Sequence, residues 1–409
     1  MLTSQAFLFF LALLLLAALL EPLAERFRFP FSILLVLIGF IGSEACIRIF
    51  GVDTGIRWDN INSIISYVIL PILIFRASIE LDIKSLWGDI VPISLLSLPL
   101  VLVSAAITAV GVYYGINHPG FPWTAALLTG ALLSAPDAAA VLSLLKKSNA
   151  PRRLSLLLEG ESLFNDATAV VLFSILIAMA LSGEQNSTWG SALMQFLSVF
   201  CGGLAVGAMI GIIAHVVLKV FNGTNVYVLV TVVSAYTSYI LADNFLHLSG
   251  VMAVLSAGLV IGSLDRRLQR NEVKHFVDEF WRLAHYIAEA LIFLLAGVTI
   301  NLTMFTDQWL AILIGIAAVL AARVIIIFGV FPLANHLPGM TPVPVKQQII
   351  LTWGGVRGTV TLALALSLPL SLSYWYTIQS IAYGVVLFTL FVQATTMNPL
   401  IRRLNLNNH

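Results

Sequence analysis

Residues 153–180 read RLSLLLEGESLFNDATAVVLFSILIAMA, and the fold is decided by how this stretch is read. It places Glu159, Glu161 and Asp166 inside a run that is otherwise almost wholly apolar and long enough to cross a bilayer. A carboxylate in hydrocarbon costs several kcal/mol, so an intramembrane acid marks a functional site by default. The rest of the chain reads as the frame that holds these acids.

Of the 409 residues, 59% are hydrophobic and 10% charged, against roughly a quarter charged in soluble domains. A soluble chain of this size would lack the polar side chains to cover its surface, so a polytopic membrane protein is indicated, with the lipid bilayer as its surroundings. High apolar content and a net charge of +1 exclude disorder. The same balance, with no basic segment interleaved with aromatics, gives no reason to expect nucleic acid as a partner. Cys46 and Cys201 stand far apart in apolar stretches and are expected to be buried thiols. No CxxC or Cys/His spacing suggests a structural zinc. The first residues lack a basic leader and a small-residue cleavage site, so they read as a first membrane helix.

Apolar segments ended by charges, proline or glycine clusters number thirteen, roughly 4–21, 30–48, 61–79, 90–115, 122–146, 153–180, 190–218, 225–242, 246–264, 281–301, 306–331, 345–368 and 376–399. The expected fold class is therefore an all-α polytopic membrane protein of about 13 transmembrane helices. Connections after odd-numbered spans carry the basic residues, among them Arg26, Arg28, Lys146, Lys147, Arg152, Arg153, Arg266, Arg267 and Arg270. Those after even-numbered spans are poor in them, so the N-terminus is expected outside and the C-terminus in the cytoplasm. The hydrophilic interval 262–282 reads either as an amphipathic helix or as a surface loop, with Phe276, Phe280 and Trp281 able to sit at the membrane interface.

Two spans carry helix breakers. The fifth, AALLTGALLSAPDAAAVLSLL, has Pro136 and Asp137 at its centre; the twelfth, QQIILTWGGVRGTVTLALALSLP, has Gly354, Gly355 and Gly358 around Arg357. Proline removes an intrahelical hydrogen bond and glycine relaxes the backbone, so both spans are expected to be interrupted. The two breaks lie seven spans apart, an odd offset that sets the two halves in opposite orientations across the membrane. This is the inverted-repeat pattern of secondary transporters, with repeat one at about 1–180, a linker helix at about 190–218 and repeat two at about 225–399.

On the sixth span, Ser162 and Asp166 are four residues apart on one helical face, with Glu161 and Asn165 on the adjacent one. Oxygen ligands suit a hard cation such as sodium better than a soft transition metal. A carboxylate so placed can hold either a proton or a cation, and a site that takes one or the other is a physical basis for exchange. Glu161 needs a partner; Arg357 is the arginine deep in the twelfth span, and Arg323 in the eleventh competes for that role. Asp137, at the break, can coordinate the cation or offset the amide end of a half-helix. The plain alternative is that these charges only line a water-filled vestibule. No nucleophile or metal triad accompanies the acids and no P-loop occurs, so neither an enzyme nor an ATP-driven pump is indicated.

Together SAPDAAAV (134–141), GESLFNDATAVVLF (160–173), LSGVMAVLSAGLVIG (248–262), FWRLAHYIAEALIFLLAGV (280–298) and LTWGGVRGTVTLALALSLP (351–369) resemble the monovalent cation/proton antiporter family, in its NhaP and sodium/proton exchanger branch. The resemblance implies a homodimer in the cell (inner) membrane. It also implies a core domain, about 90–180 and 281–399, that moves by alternating access against a dimerisation domain made of the other helices. It implies exchange of one Na+ or Li+ for one H+, electroneutral and without a cofactor. Residue by residue, it places Na+ at Asp166, with Asn165 and Ser162 in support, and pairs the structural acid Glu161 with Arg357; Glu159 falls at the cytoplasmic end of the funnel.

The family's threonine, aspartate and proline at the unwound helix appear here as Pro136, Asp137 and Ala138, so the aspartate is retained and the threonine is absent. Arg76, which can pair with Glu80, and Glu289 also depart from the family pattern. Such departures leave a potassium/proton antiporter, or a cation channel of similar architecture, as the alternative.

Overall fold

The computed structural model describes all residues except 1–3, 28–29, 51–62, 81–89, 117–119, 138–141, 143–151, 183–188, 222, 266–270, 335–343 and 405–409. The described residues form helices and connections, with no strand among them. In chain order they are α1 (Ser4–Phe27), α2 (Phe31–Phe50), α3 (a π-helical turn Ile65–Ile69 running into Leu70–Glu80), α4 (Ile90–Gly115), α5 (Trp123–Leu132), α6 (Arg152–Ser182) and α7 (Trp189–Val220). There follow α8 (Thr224–Ile240, closed by a π-helical turn Leu241–Phe245), α9 (Gly250–Asp265), α10 (Asn271–Thr299), a short helix Leu302–Asp307, and α11 (Trp309–Ala334). The chain ends with α12a (Val345–Trp353), α12b (Thr359–Leu366) and α13 (Trp375–Phe388, continued through a π-helical turn Thr389–Ala394 into Thr395–Arg403). Each apolar span read from the sequence coincides with one of these helices or, for the twelfth, with an interrupted pair, except that the fifth is matched by α5 over its first half and most of its second half lies outside the described residues. Six of the described helices are long and apolar enough to cross a membrane, and shorter apolar helices accompany them.

Two compact units are distinguished. The first comprises Met1–Asn62, Val91–Ala169 and Ala290–His409; the second comprises Ser63–Ile90 and Val170–Glu289.

In the second unit α9 packs on α3, α7 and α8. The small-residue stretch 201–211 explains how closely α7 approaches. Added methyls at Gly203 and Gly207 would overlap the backbone of Ser249 and Ala253, and one at Gly211 would press on Val260. Between lipid-embedded helices there is little hydrophobic drive to associate, so this backbone proximity supplies the packing. The far side of α9 repeats the device, with Gly258 and Gly262 against Ser78 and Ile79 of α3. Val251, Met252, Ala253, Val254 and Leu255 are all buried, as befits a helix that is apolar on every face.

Trp281 corrects an expectation: it is buried, its ring 4.6 Å from Phe75 and its Nε1 donating to Thr231 Oγ1 at 3.1 Å, whereas Phe276 and Phe280 are exposed. Residues 271–282 are the opening turns of α10, which resolves the helix-or-loop question for that part of the interval. Cys201 is a second correction, since it lies exposed on α7, on an apolar helix surface that no other part of the described chain covers. Cys46 falls among side chains outside the described set.

In the first unit, α2 crosses the C-terminal part of α10 at Gly39 and Gly297, and α4 crosses α5 where Gly130 meets the Ala105 carbonyl. Helix α11 is seated on α13 through Gly315 against Ile381 and Gly384 against Ile312. The first and last helices of the chain differ in exposure. Leu8, Leu11, Leu15 and Leu19 of α1 are exposed, while Ile378, Ile381, Ala382 and Val385 of α13 are buried and form the scaffold for α12b.

Candidate ion site at two interrupted helices

Both breaks lie in the first unit and are built from the residues the sequence singles out. Helix α5 ends at Leu132; Leu133 and Ser134 close it with a tight turn, and Ala135, Pro136 and Asp137 continue without helical structure. Proline at 136 has no amide to extend the helix, which accounts for the stop. Ala138 lies outside the described residues. Helix α12a ends at Trp353, with Gly354 following, and α12b begins at Thr359 after Gly358, so Gly354 to Gly358 is the interruption.

An interrupted helix leaves carbonyls without partners at one end and amides without partners at the other. Here each break supplies what the other lacks. Arg357 is almost fully buried; its Nε donates to the Leu133 carbonyl at the end of α5 at 2.6 Å, and its Nη1 donates to Gly355 O at 2.9 Å. A cation thus meets the negative end of α5. Asp137 does the converse. Its Oδ2 accepts from the amide and the hydroxyl of Thr359, each at 3.3 Å, and so places a carboxylate on the positive end of α12b. Of the two arrangements open for Asp137, this geometry is that of a half-helix cap. Backbone bonding joins the breaks as well, through the Asp137 amide and the Val356 carbonyl at 2.6 Å.

Helix α6 brings the polar face of its sequence to this crossing. Ser162 Oγ donates to the Pro136 carbonyl at 3.2 Å, and Asn165 is buried. Asp166 lies within electrostatic reach of both Asp137 and Arg357. The backbones of Glu159 and Glu161 belong to α6, but their side chains lie outside the described residues, so the Glu161 half of the expected Glu161–Arg357 pair does too. Arg323, the competing partner, is buried, donates through Nε to Leu351 O at 3.1 Å, and packs against Gly355, bracing the end of α12a.

The remaining candidates belong to the second unit. Arg76 pairs with Glu80 one turn on, as the spacing suggests. Glu289 stands 3.7 Å from His285 Nε2, also one turn away.

Residues that the sequence reading passes over complete the crossing. Thr389, in the π-helical turn of α13, accepts from the Arg357 amide at 3.0 Å, and Thr359 meets Asp137. Neither threonine carries a spacing signal. The one clue was local: a hydroxyl directly after Gly358, at the start of a half-helix.

Backbone left open within apolar spans is tolerated only where polar groups use it, which is how secondary transporters build sites for small ions. The fold and crossing thus define a membrane protein of the transporter class. Residues 11–403 match the family described as "sodium/hydrogen exchanger, transmembrane", and the chain belongs to that family.

Among its relatives, the Na(+)/H(+) antiporter ApNhaP of Aphanothece halophytica is 34% identical over 405 residues, covering 98% of this chain and 75% of the relative. The low-affinity Na(+)/H(+) antiporter NhaS1 of Synechocystis is 33% identical over 384 residues, covering 93% and 70%. The solved structure of the sodium proton antiporter MjNhaP1 from Methanocaldococcus jannaschii matches with a TM-score of 0.81 at 21% identity, over 97% of this chain and 100% of that one. The fold is that antiporter fold.

Proposed function

We propose that the protein is a secondary-active sodium/proton antiporter, moving cytoplasmic Na+ or Li+ outward in exchange for external H+. The observation that carries this reading is the crossing of the two breaks, where Asp137 and Arg357 are engaged with the half-helix ends within electrostatic reach of Asp166. With those two charges engaged at the half-helix ends, Asp166 is, among the described side chains of the crossing, the carboxylate left to change its cargo. Its oxygens, with those of Asn165 and Ser162, suit a hard monovalent cation. Bound to Na+ or to H+, the carboxylate is neutral in either form, so one site working alone gives electroneutral one-for-one exchange.

Alternating access follows from that neutrality: the core crosses the low-dielectric region only when Asp166 is neutralised, because an uncompensated charge there is costly. In this reading Glu161 and Arg357 hold α6 against the α12 break, and Glu159 lies at the cytoplasmic mouth. The core is made of about 90–180 and 281–399, the remaining helices form the dimer contact of a homodimer in the cell membrane, and the two repeats are inverted. The excess of Lys and Arg after odd-numbered spans supports an outside N-terminus and a cytoplasmic C-terminus. The names of ApNhaP and NhaS1 support sodium as the cation.

The test is a cation series in everted membrane vesicles that hold a proton gradient. Sodium and lithium are expected to collapse the gradient, potassium and calcium to leave it, and no current to accompany exchange. Collapse by potassium alone, or a current that scales with sodium, would contradict the proposal.

A further inference from the structure

Thr359 opens α12b and is buried at 7% exposure. Its amide and its hydroxyl both lie 3.3 Å from one oxygen, Oδ2 of Asp137. The residue at the cap position is Gly358, which has no side chain to satisfy the first amides of the helix. A methyl group at 358 would overlap the Asp137 carboxylate, so the glycine makes room for a cap that arrives from the chain beyond α5. Asp137 is attached to a stretch without helical structure, and its amide is tied to Val356 O. The backbone of Asp137 is thereby held from within the α12 break and its carboxylate from the first residue of α12b. A hydroxyl that donates its proton to a carboxylate keeps two lone pairs, available to water or a cation in the crossing.

We propose that Thr359 is a positioning residue of the exchange site: its amide and hydroxyl fix the Asp137 carboxylate across the two breaks and so set where that charge stands relative to Asp166. The inference rests on reading Asp166 as the exchanging carboxylate. The hydroxyl is the part that a substitution removes. Without it the Asp137 carboxylate loses its bond to the Thr359 hydroxyl, its charge shifts relative to Asp166, and cation affinity falls more than turnover does.

Full-length Thr359→Val, Thr359→Ser and Thr359→Ala proteins, reconstituted in liposomes, are assayed for sodium-dependent proton flux across a range of sodium concentrations. Thr359→Val is expected to raise the apparent KM for sodium about tenfold, the equivalent of one hydrogen bond to a charged group. Vmax per folded protein is expected to stay within about a factor of two. Thr359→Ser, which keeps the hydroxyl, is expected to retain the unmodified KM. An unchanged KM in Thr359→Val, or equal impairment in Thr359→Ser, overturns the proposal. If the valine protein does not fold, the serine–alanine pair decides by the same criterion. Asp166→Asn is run alongside. Flux that survives it overturns the underlying reading and this proposal with it, whereas flux lost in Asp166→Asn with an unchanged KM in Thr359→Val overturns the Thr359 assignment alone.

Discussion

The amide of Asp137 donates to the carbonyl of Val356 at 2.6 Å, so the two interrupted helices are hydrogen-bonded break to break. Arg357, the next residue, reaches the end of α5, and Asp137 itself caps α12b. Reciprocal placement of this kind lets each half-helix end meet a charge of the opposite sign, worth up to about 2 kcal/mol apiece where the geometry is partly buried. It also makes the crossing one unit, because neither break can shift without losing bonds to the other.

Arg357→Ala is expected to damage the fold. It deletes the donors to Leu133 O and Gly355 O in a buried setting, at a cost of about 3 kcal/mol. Folded yield in detergent and the thermal midpoint should both fall. Arg357→Lys should fall between, since an ammonium lacks the planar fork that serves two carbonyls at once. An unmodified midpoint in Arg357→Ala would refute the structural role.

Gly358→Ala is expected to lose transport while keeping the fold, because its methyl group displaces the Asp137 carboxylate. Gly329→Ala, in α11, is the control. Nothing lies near an added methyl there, so flux should be unchanged and stability equal or higher by up to about 1 kcal/mol. Flux assays on both, with size-exclusion profiles, check the contrast.

Gly207→Ile should destabilise the second unit. The new side chain would meet the Ala253 carbonyl and Ser256 Oγ of α9, and backbone cannot move aside as a flexible side chain can. A cost of about 3 kcal/mol is expected from overpacking of this kind, read as a lower thermal midpoint in detergent.

Tyr383→Phe isolates one buried bond. Its hydroxyl is 2.7 Å from Thr299 Oγ1, linking α13 to the end of α10, and its loss should cost about 1 kcal/mol. The thermal midpoint should drop modestly while the apparent KM for sodium stays the same, since neither hydroxyl touches the crossing residues.

The helices and the positions of both breaks were legible because they rest on strong chemistry. Long apolar runs have few alternatives to membrane helices, and Pro136 and the Gly354–Gly358 cluster disrupt helices wherever they occur. The pairing of Arg76 with Glu80 was legible from spacing alone. What the breaks do to each other was not. The acceptors for Arg357 Nε and the Asp137 amide are backbone carbonyls, those of Leu133 and Val356, and a backbone carbonyl carries no sequence signature. Thr359 and Thr389 look like ordinary threonines in apolar runs, and only the meeting of α12 with α5 and α13 brings Thr359 to Asp137 and Thr389 to the Arg357 amide. Trp281 misled for a related reason. An aromatic beside charged residues reads as an interface anchor, yet Phe75 and Thr231, distant in sequence, bury its ring and accept from its indole N–H.

The proposed exchange turns on Asp166. Purified protein carrying Asp166→Asn, reconstituted in liposomes with an imposed sodium gradient, should fold as the unmodified protein does and show proton flux no greater than protein-free liposomes. Sodium-driven proton movement at the unmodified rate in that variant would contradict the account.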